Sequence, residues 1–273
     1  MTTPTTETAA CTLLGRAKPV IGMVHFPPLP GSPFDRGLSR QALLDAARRD
    51  LEILVTEGFD AVAISNEGDR PYVAEVSRET LAMFTALVAR LTEDLPLPFG
   101  CGVLQDPRAG LAVARAVGAT FVRVSYGVTV GTFGIVAVSS GEILRYRRQI
   151  GADQVQLFVN LSPHYASSLD TRPPAEVARA CRDLAAPDAI QVFGAGAGSL
   201  PALDVVRQVK AAVPDVPVVV ASGATEETLP EVLAAGDGVI VGTGLKKHGI
   251  IWNPIDRDRA RAFMRRVRDL RGA

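Results

Sequence analysis

The chain has 273 residues and carries 29 basic and 29 acidic side chains, so its formal net charge is zero. Nucleic-acid-binding proteins normally present a basic surface, and this balance argues against DNA or RNA as a partner. Hydrophobic residues make up 47% of the chain, which is enough for one large domain with a sizeable core.

The first 17 residues are rich in threonine and lack the basic start and long apolar run of a secretory signal peptide. We therefore expect a disordered leader over residues 1–17 and one folded domain over residues 18–273. No segment approaches the roughly 18 apolar residues that a membrane-spanning helix needs. Three cysteines without metal-ligand spacing are typical of a reducing compartment, which predicts a cytoplasmic protein.

Eight short segments of apolar or β-branched residues recur along the chain, separated by segments with helical periodicity. Strands that are apolar along their whole length are typical of a parallel sheet covered on both faces. Ser39 and Ser77 are the expected N-caps of the first two helices. Eight strand–helix units predict a single (β/α)8 barrel, the TIM-barrel fold, with an open doubly wound sheet as the alternative. The predicted strands are Val20–Val24, Ala61–Ile64, Pro98–Val103, Phe121–Val124, Gln154–Val159, Ala189–Phe193, Val216–Val220 and Gly238–Val241.

Glycine-rich turns follow the last three predicted strands. In (β/α)8 barrels, ligands bind to the loops at the carboxyl ends of the strands, and phosphate commonly lies after strands 7 and 8. Glycine lets backbone amides approach an anion, and a lysine after strand 8 adds positive charge. The same glycines also fit tight turns that hold no ligand. The predicted phosphate-binding residues are Gly194, Gly196, Ser222, Gly223, Gly242, Thr243, Gly244 and Lys246.

All three histidines follow strands at this predicted ligand-binding end: His25 after strand 1, His164 after strand 5 and His248 after strand 8. Histidine titrates near neutral pH and is therefore a candidate for acid/base catalysis, although a lone histidine is more often structural. Glu67 and Asp69 follow strand 2. We predict a catalytic set of His25, His164, Glu67 and Asp69.

Other chemistries have less support in the sequence. Schiff-base catalysis needs a lysine at the substrate, and near the predicted rim it depends on Lys246 or Lys247 alone. Cys101 in strand 3 is expected to be a buried, inert thiol. A metal site made from His25, Glu67 and His164 lacks close ligand spacing. We therefore expect acid/base chemistry without a metal or cofactor.

Arg123 lies within strand 4 and is predicted to point into the barrel, where its ordinary role is an ion pair with a carboxylate such as Glu67. Two long loops follow strands 4 and 5, at 125–139 and 160–174. The first is apolar and costly to expose, so we expect it to close over a ligand or to contact another subunit. This predicts a homo-oligomer.

The stretch from Ile21 to Pro33, Ile-Gly-Met-Val-His-Phe-Pro-Pro-Leu-Pro-Gly-Ser-Pro, resembles the opening motif of the BtpA family, which is named for a photosystem I biogenesis protein. Further matches follow at Gly68-Asp69, at 242–246 and at 253–256. The family is similar to ribulose-phosphate-binding barrels. The resemblance implies this fold and a phosphate site that includes Ser222, Gly223, Gly242 and Thr243.

The chain departs from the family pattern mainly on the rim. The family has Glu-Asn-Phe-Gly-Asp after strand 2, and this chain has Ser65-Asn66-Glu67-Gly68-Asp69. An aspartate at the end of strand 5 becomes Asn160, and two threonines after strand 6 become Phe193 and Ala197. Such changes indicate a divergent member with a different substrate or reaction. The expected substrate contacts beyond the phosphate are Asn66, Arg123, Asn160 and Tyr165.

These features predict an enzyme that acts on a phosphorylated small molecule by lyase, isomerase or group-transfer chemistry. The substrate class is a sugar phosphate or a phosphoribosyl-type compound, and the neutral rim fits a specialised-metabolism intermediate. Two alternatives stay open. One is a non-catalytic assembly or stability factor, as the family name implies, and the other is a sensor that binds the ligand without turnover.

Overall fold

Parallel strands close into a barrel in the computed structural model, which describes residues 12–161, 163 and 165–272. The barrel order is β3-β4-β5-β6-β9-β11-β12-β13 and back to β3, which confirms the (β/α)8 fold and excludes the open sheet. The strands are β1 (Thr12–Leu13), β2 (Arg16–Ala17), β3 (Val20–His25), β4 (Ala61–Ser65), β5 (Phe99–Gly102), β6 (Phe121–Ser125), β7 (Gly127–Gly131), β8 (Gly134–Val138), β9 (Gln156–Asn160), β10 (Ala166–Ser168), β11 (Ala189–Val192), β12 (Val218–Val220) and β13 (Gly238–Val241).

Helices alternate with the barrel strands and cover the barrel from outside. Ser39 and Ser77 cap the first two, each accepting a hydrogen bond from a backbone amide of the first turn, as predicted. In the part of the chain that the structure describes, no helix is both long enough and apolar enough to cross a bilayer. The helices are α1 (Arg40–Glu57), α2 (Arg78–Thr92), α3 (Pro107–Val117), α4 (Ser140–Gln149), α5 (Pro174–Ala185), α6 (Leu203–Ala212), α7 (Leu229–Ala235) and α8 (Arg257–Arg271), with 3-10 segments Thr243–Leu245 and Lys247–Gly249 after β13.

The inside of the barrel is filled by a compact apolar cluster. The rings of Phe121 and Phe158 stack there with centroids 4.3 Å apart. Gly100 on the neighbouring strand makes room for them, because a Cβ atom at that position would lie 2.2 Å from the ring of Phe121. Since the barrel interior is packed with side chains, a ligand can enter only at its ends.

The expected leader over residues 1–17 is too long. Residues 1–11 lie outside the described part of the chain, but β1 and β2 pair as an antiparallel hairpin over 12–17. Leu13 is only 3% exposed and packs into the cluster inside the barrel. It covers the amino-terminal end of the barrel and keeps the apolar interior out of water, so residues 12–17 are part of the folded domain.

The two long loops form a small sheet above β6 and β9. Strands β7 and β8 make an antiparallel hairpin, and β10 from the second loop pairs with β7. Alternation divides the apolar side chains between two faces. Val136 is buried, whereas Val130 is 39% exposed and Ile135 is 69% exposed. One face therefore covers the rim of the barrel, and the other presents apolar groups to the outside.

Candidate functional site

His25, at the end of β3, and Glu67, in the loop after β4, lie side by side at the carboxyl end of the barrel. Nε2 of His25 is 3.9 Å from Oε2 of Glu67, and the two side chains are 8% and 9% exposed. The hydroxyl of Tyr72 donates to Oε1 of Glu67 at 3.0 Å, and that of Ser65 donates to Oε2 at 3.4 Å. The structure thus brings together two of the four predicted catalytic residues.

Burial shifts the pKa values of this pair in opposite directions. It lowers the pKa of His25 well below its ordinary value, and the positive charges of Lys246 and Arg123 add to the effect, whereas the Ile251 backbone opposes it. Burial raises the pKa of Glu67, opposed first by Arg123 and then by its hydrogen bonds. The imidazole is therefore neutral near pH 7 and can accept a proton. The raised pKa of Glu67 brings its protonated form, which can donate a proton, closer to neutral pH.

Arg123 points into the barrel, as predicted, but the predicted ion pair with Glu67 is wrong. Its Nε donates to Oε1 of Gln191 at 2.9 Å, and its Nη1 contacts the sulfur of Met23 at 3.4 Å. Among the described residues, no carboxylate lies within 4.0 Å of the guanidinium. Burial lowers the Arg123 pKa to about 10, so the group stays charged at neutral pH. The mouth of the barrel therefore holds the Arg123 cation, which is positioned by the neutral side chains of Gln191 and Met23.

Gln191 is the residue of this site that the sequence analysis missed. It is fully buried, and its Nε2 donates to the carbonyl of Phe158 at 2.8 Å. A single amide side chain in the otherwise apolar strand β11 was the available signal. Its orientation fixes the guanidinium of Arg123, which also lies 5.3 Å from the ring centroid of Phe193.

Asn160, at the end of β9, offers an unused hydrogen-bond acceptor. Its Nδ2 donates to the hydroxyl of Ser125 at 2.8 Å. Its Oδ1 is buried without a partner among the described residues. Asn160, Arg123 and Phe193 line a cavity of about 70 Å³ under Thr129 of the β7–β8 hairpin. The geometry therefore leaves Asn160 as a candidate substrate contact.

Asn66 and Asp69 hold loops together, which corrects their predicted roles. Oδ1 of Asp69 accepts from the amide of Leu29 at 2.6 Å, and its Oδ2 accepts from Nδ2 of Asn66 at 3.2 Å. Oδ1 of Asn66 accepts from the amide of Leu104 at 2.9 Å. Buried polar groups need such partners, and here they join the loops after β3, β4 and β5. Asp69 is therefore a positioning residue in place of a catalytic one, and Asn66 is not placed to bind substrate.

The loop after β11 folds directly onto the loop after β12. The hydroxyl of Ser222 donates to the carbonyl of Ser199 at 2.7 Å and accepts from the amide of Gly194 at 2.8 Å. A Cβ atom at Gly223 would lie 2.2 Å from the amide nitrogen of Leu200. The Ser222 hydroxyl and the Gly194 amide thus bond to other groups of the protein. The prediction needed both groups to be free for a phosphate, and they are not.

Gly196 and Tyr165 meet on the outer side of the same loop. A Cβ atom at Gly196 would lie 3.2 Å from the Tyr165 ring, and the Tyr165 hydroxyl accepts from the amide of Ala197 at 3.2 Å. Tyr165 is 42% exposed. His164, the remaining member of the predicted catalytic set, lies outside the described residues.

Several backbone amides at the ends of β12 and β13 have no acceptor among the described residues. The amides of Gly223, Ala224, Thr243 and Gly244 donate to no carbonyl or side chain in the described part of the chain. Gly242 lies between these amides and the His25–Glu67 pair, because a Cβ atom there would lie 3.4 Å from Cε1 of His25. Backbone donors of this kind are the usual ligands of phosphate in such barrels.

Lys246 is a structural residue, which corrects its predicted phosphate role. It is 1% exposed, and its Nζ lies 2.6 Å from Oδ2 of Asp50 on α1. Oδ1 of the same carboxylate accepts from the amide of Ile255 at 2.8 Å. A buried ammonium group needs a carboxylate partner, and this pair ties the loop after β13 to α1. The neighbouring Lys247 is exposed.

Comparison with known proteins places the chain among relatives of the same length. The model of the BtpA family matches residues 16–269. SgcQ of Escherichia coli (strain K12), named for the sgc region, is 36% identical over 261 residues, which span 95% of this chain and 97% of that protein. The photosystem I biogenesis protein BtpA of Synechocystis sp. is 32% identical over 250 residues, which span 90% and 86%.

A solved structure shares the barrel. The (S)-3-O-geranylgeranylglyceryl phosphate synthase of Thermoplasma acidophilum, in complex with its substrate sn-glycerol-1-phosphate, superposes with a TM-score of 0.59 over 94% of this chain and 95% of that one. Its sequence identity of 14% makes this a likeness of fold. The family model and the two relatives decide the assignment: the chain belongs to the BtpA family.

Proposed function

We propose that the protein is a cytoplasmic enzyme that acts on a phosphorylated small molecule by acid/base chemistry. The observation that carries this proposal is the buried His25–Glu67 pair next to backbone amides without acceptors. A sugar phosphate or phosphoribosyl-type compound provides both a phosphate for the amides and an acidic C–H or hydroxyl group for the pair. Proton transfer of this kind fits a lyase, an isomerase or a group-transfer enzyme.

The proposed phosphate site consists of the amides of Gly223, Ala224, Thr243 and Gly244. It keeps Gly223, Thr243 and Gly244 of the predicted site and leaves out Ser222 and Lys246, because the Ser222 hydroxyl and the Lys246 ammonium group already have partners. The phosphate carries its charge into a region where exposed backbone donors offer several hydrogen bonds at once. Anchored there, the substrate extends past Gly242 towards His25.

In the proposed reaction, neutral His25 removes a proton from a carbon next to a carbonyl group. The electron pair moves to the carbonyl oxygen, and the nearby Arg123 guanidinium stabilises the negative charge that develops there. Glu67 in its acid form then returns a proton to the substrate. The unpaired Oδ1 of Asn160 accepts a hydrogen bond from a substrate hydroxyl group. Fold likeness to a synthase that binds a glycerol phosphate supports the substrate class.

A non-catalytic role in assembly is the second candidate. The exposed apolar face of the β7–β8 hairpin favours it, because Val128, Val130 and Ile135 would be covered by a second protein or a second copy of this chain. The name of the Synechocystis relative points the same way. A homo-oligomer that uses this face is compatible with either function.

Proton exchange in heavy water distinguishes these functions. We expect the protein to catalyse incorporation of solvent deuterium into a sugar phosphate, detected by NMR across a panel from ribulose 5-phosphate to fructose 1-phosphate. The unphosphorylated sugars serve as controls. His25→Gln should slow exchange by at least about 100-fold, because a missing general base typically costs that much. His248→Gln, at an exposed position, is the matched control.

Exchange that is equally fast in His25→Gln would remove the proposed base. Thermal stabilisation by the phosphorylated compounds without any exchange would favour a sensor. Neither stabilisation nor exchange across the panel would favour the assembly factor.

A further inference from the structure

A second cavity, of about 300 Å³, lies against α1, between the proline-rich loop after β3 and the loop after β13. Pockets for small ligands begin at about this volume. The first loop contributes Phe34 and Arg36, the second contributes Trp252, and α1 contributes Arg49. Arg70, from the loop after β4, lies between the two loops.

The walls of this basic cavity carry an excess of positive charge. Among the described residues, no carboxylate forms a hydrogen bond or an ion pair with Arg36, Arg49 or Arg70, which all line the cavity. The fourth cation at the wall, Lys246, is already neutralised by Asp50 at 2.6 Å. Three unpaired guanidinium groups around one cavity therefore create a site for a negatively charged group.

Arg70 lies between two aromatic rings. Its Cζ lies 3.8 Å from the ring centroid of Trp252 and 4.7 Å from that of Phe34. Its Nε is buried and has no partner among the described residues. A planar guanidinium whose orientation is fixed in this way is suited to bidentate contact with a carboxylate or phosphate. Trp252 and Phe34 are 42% and 50% exposed and offer apolar contact for the rest of a ligand.

His25 connects the basic cavity with the barrel mouth. Its side chain lines the cavity, is 8% exposed, and has its Nε2 beside Glu67 on the barrel side. Its other nitrogen, Nδ1, is buried and has no partner in the described part of the chain. The cavity and the proposed phosphate site thus both adjoin this imidazole, since Gly242 lies next to the ring.

We propose that the basic cavity binds a second anionic group of the substrate, a carboxylate or a phosphate. The substrate then carries two negative groups, one held by the amides after β12 and β13 and the other held by Arg36, Arg49 and Arg70. The atoms that exchange a proton lie between them at His25. The assignment of the first group rests on the proposed function, whereas the basic cavity rests on its own residues.

Trp252 is the single tryptophan of the chain, so its fluorescence reports directly on this cavity. We expect inorganic phosphate to change the emission of Trp252 in a saturable manner. Arg49→Gln should weaken that apparent affinity by about tenfold, since a charge-assisted contact is lost. Arg179→Gln is the matched control and should bind phosphate as the unaltered protein does, since Arg179 is exposed on α5 and likewise pairs with no carboxylate among the described residues.

A second arm tests whether the two groups belong to one ligand. Ribulose 1,5-bisphosphate and fructose 1,6-bisphosphate should change Trp252 emission at lower concentration than inorganic phosphate does, and Arg36→Gln with Arg49→Gln should abolish that advantage. A Trp252 signal that is absent, or equal in Arg49→Gln and Arg179→Gln, would overturn the basic cavity. A bisphosphate advantage that survives the double substitution would overturn the two-group substrate.

Failure of this inference is distinguishable from failure of the proposed function. Deuterium exchange without any change in Trp252 emission would support the proposed enzyme and refute anion binding in the basic cavity. A change in Trp252 emission without deuterium exchange would support anion binding in the basic cavity and refute the proposed enzyme.

Discussion

The ion pair between Lys246 and Asp50 allows a direct test of its structural role. Both partners are almost fully buried, at 1% and 4% exposure, and Nζ lies 2.6 Å from Oδ2. Replacement of Lys246 by methionine keeps most of the side-chain volume and removes the charge. The carboxylate then keeps its hydrogen bond from the Ile255 amide, but no cation balances it.

The expected loss of stability is large. Removal of one partner of a buried ion pair costs about 3–5 kcal/mol, because the other charge is left buried and uncompensated. For a domain of this size, 1 kcal/mol lowers Tm by roughly 2–4 °C, so Lys246→Met should lower Tm by about 6–20 °C. Lys247→Met, at the exposed neighbouring position, should change Tm by no more than about 2 °C.

The test is thermal unfolding followed by circular dichroism for Lys246→Met, Asp50→Asn and the double variant. Asparagine keeps an acceptor for the Ile255 amide. Because the double variant lacks both the ammonium group and the carboxylate, it has no uncompensated charge. Its loss should be smaller than the sum of the two single losses by at least about 2 kcal/mol. Additive losses, or a Lys246→Met protein with normal Tm and weakened binding of sugar phosphates, would refute the structural role and restore the ligand role.

Three further predictions follow from other parts of the site. A Cβ atom at Gly68 would lie 2.4 Å from the backbone nitrogen of Pro28, so Gly68→Ala should destabilise the protein by about 1–3 kcal/mol and slow deuterium exchange. Gly141→Ala is the control and should leave stability unchanged in urea unfolding, because its Cβ atom would meet the flexible end of Arg145 at 3.0 Å and the hydroxyl of Ser139 at an ordinary contact distance of 3.7 Å. Burial lowers the pKa of His25 in the folded state, so below about pH 6.5 this histidine binds more protons in the unfolded state than in the folded state. The free energy of unfolding therefore falls as the pH decreases. In His25→Gln this contribution should be missing when urea unfolding is compared at pH 7 and pH 5. If the exposed face of the β7–β8 hairpin joins copies of the chain, Ile135→Asp should lower the mass found by light scattering to that of one chain, and an unchanged mass would exclude this face.

The barrel was predictable from the sequence because its determinants are local. The barrel strands are short, mostly apolar runs, and caps such as Ser39 and Ser77 precede periodic helices. The hairpin over 12–17 was missed because it is short and its stability comes from a distant contact, the burial of Leu13 in the end of the barrel.

The candidate site was only partly predictable, for a related reason. Chain order places residues on the carboxyl rim, which was enough to select His25, Glu67 and Asn160. It does not show which rim groups already have partners. Asp50 and Lys246 are 196 positions apart and meet only because the barrel closes. The direction of a side chain in the finished fold decides whether it is free for a ligand, and no local pattern contains that direction.

The contact between the loops after β11 and β12 limits how this protein can diverge. Ser222 bonds both ends of the loop that starts at Gly194, and Leu200 lies where a side chain on Gly223 would be. An insertion or larger residue in either loop would displace the other, so the two vary as a unit or not at all. Substitutions are tolerated more easily across the barrel, at Asn160 or in the β7–β8 hairpin. New substrate specificities in relatives of this protein should therefore arise on that opposite side, while the proposed phosphate site stays unchanged.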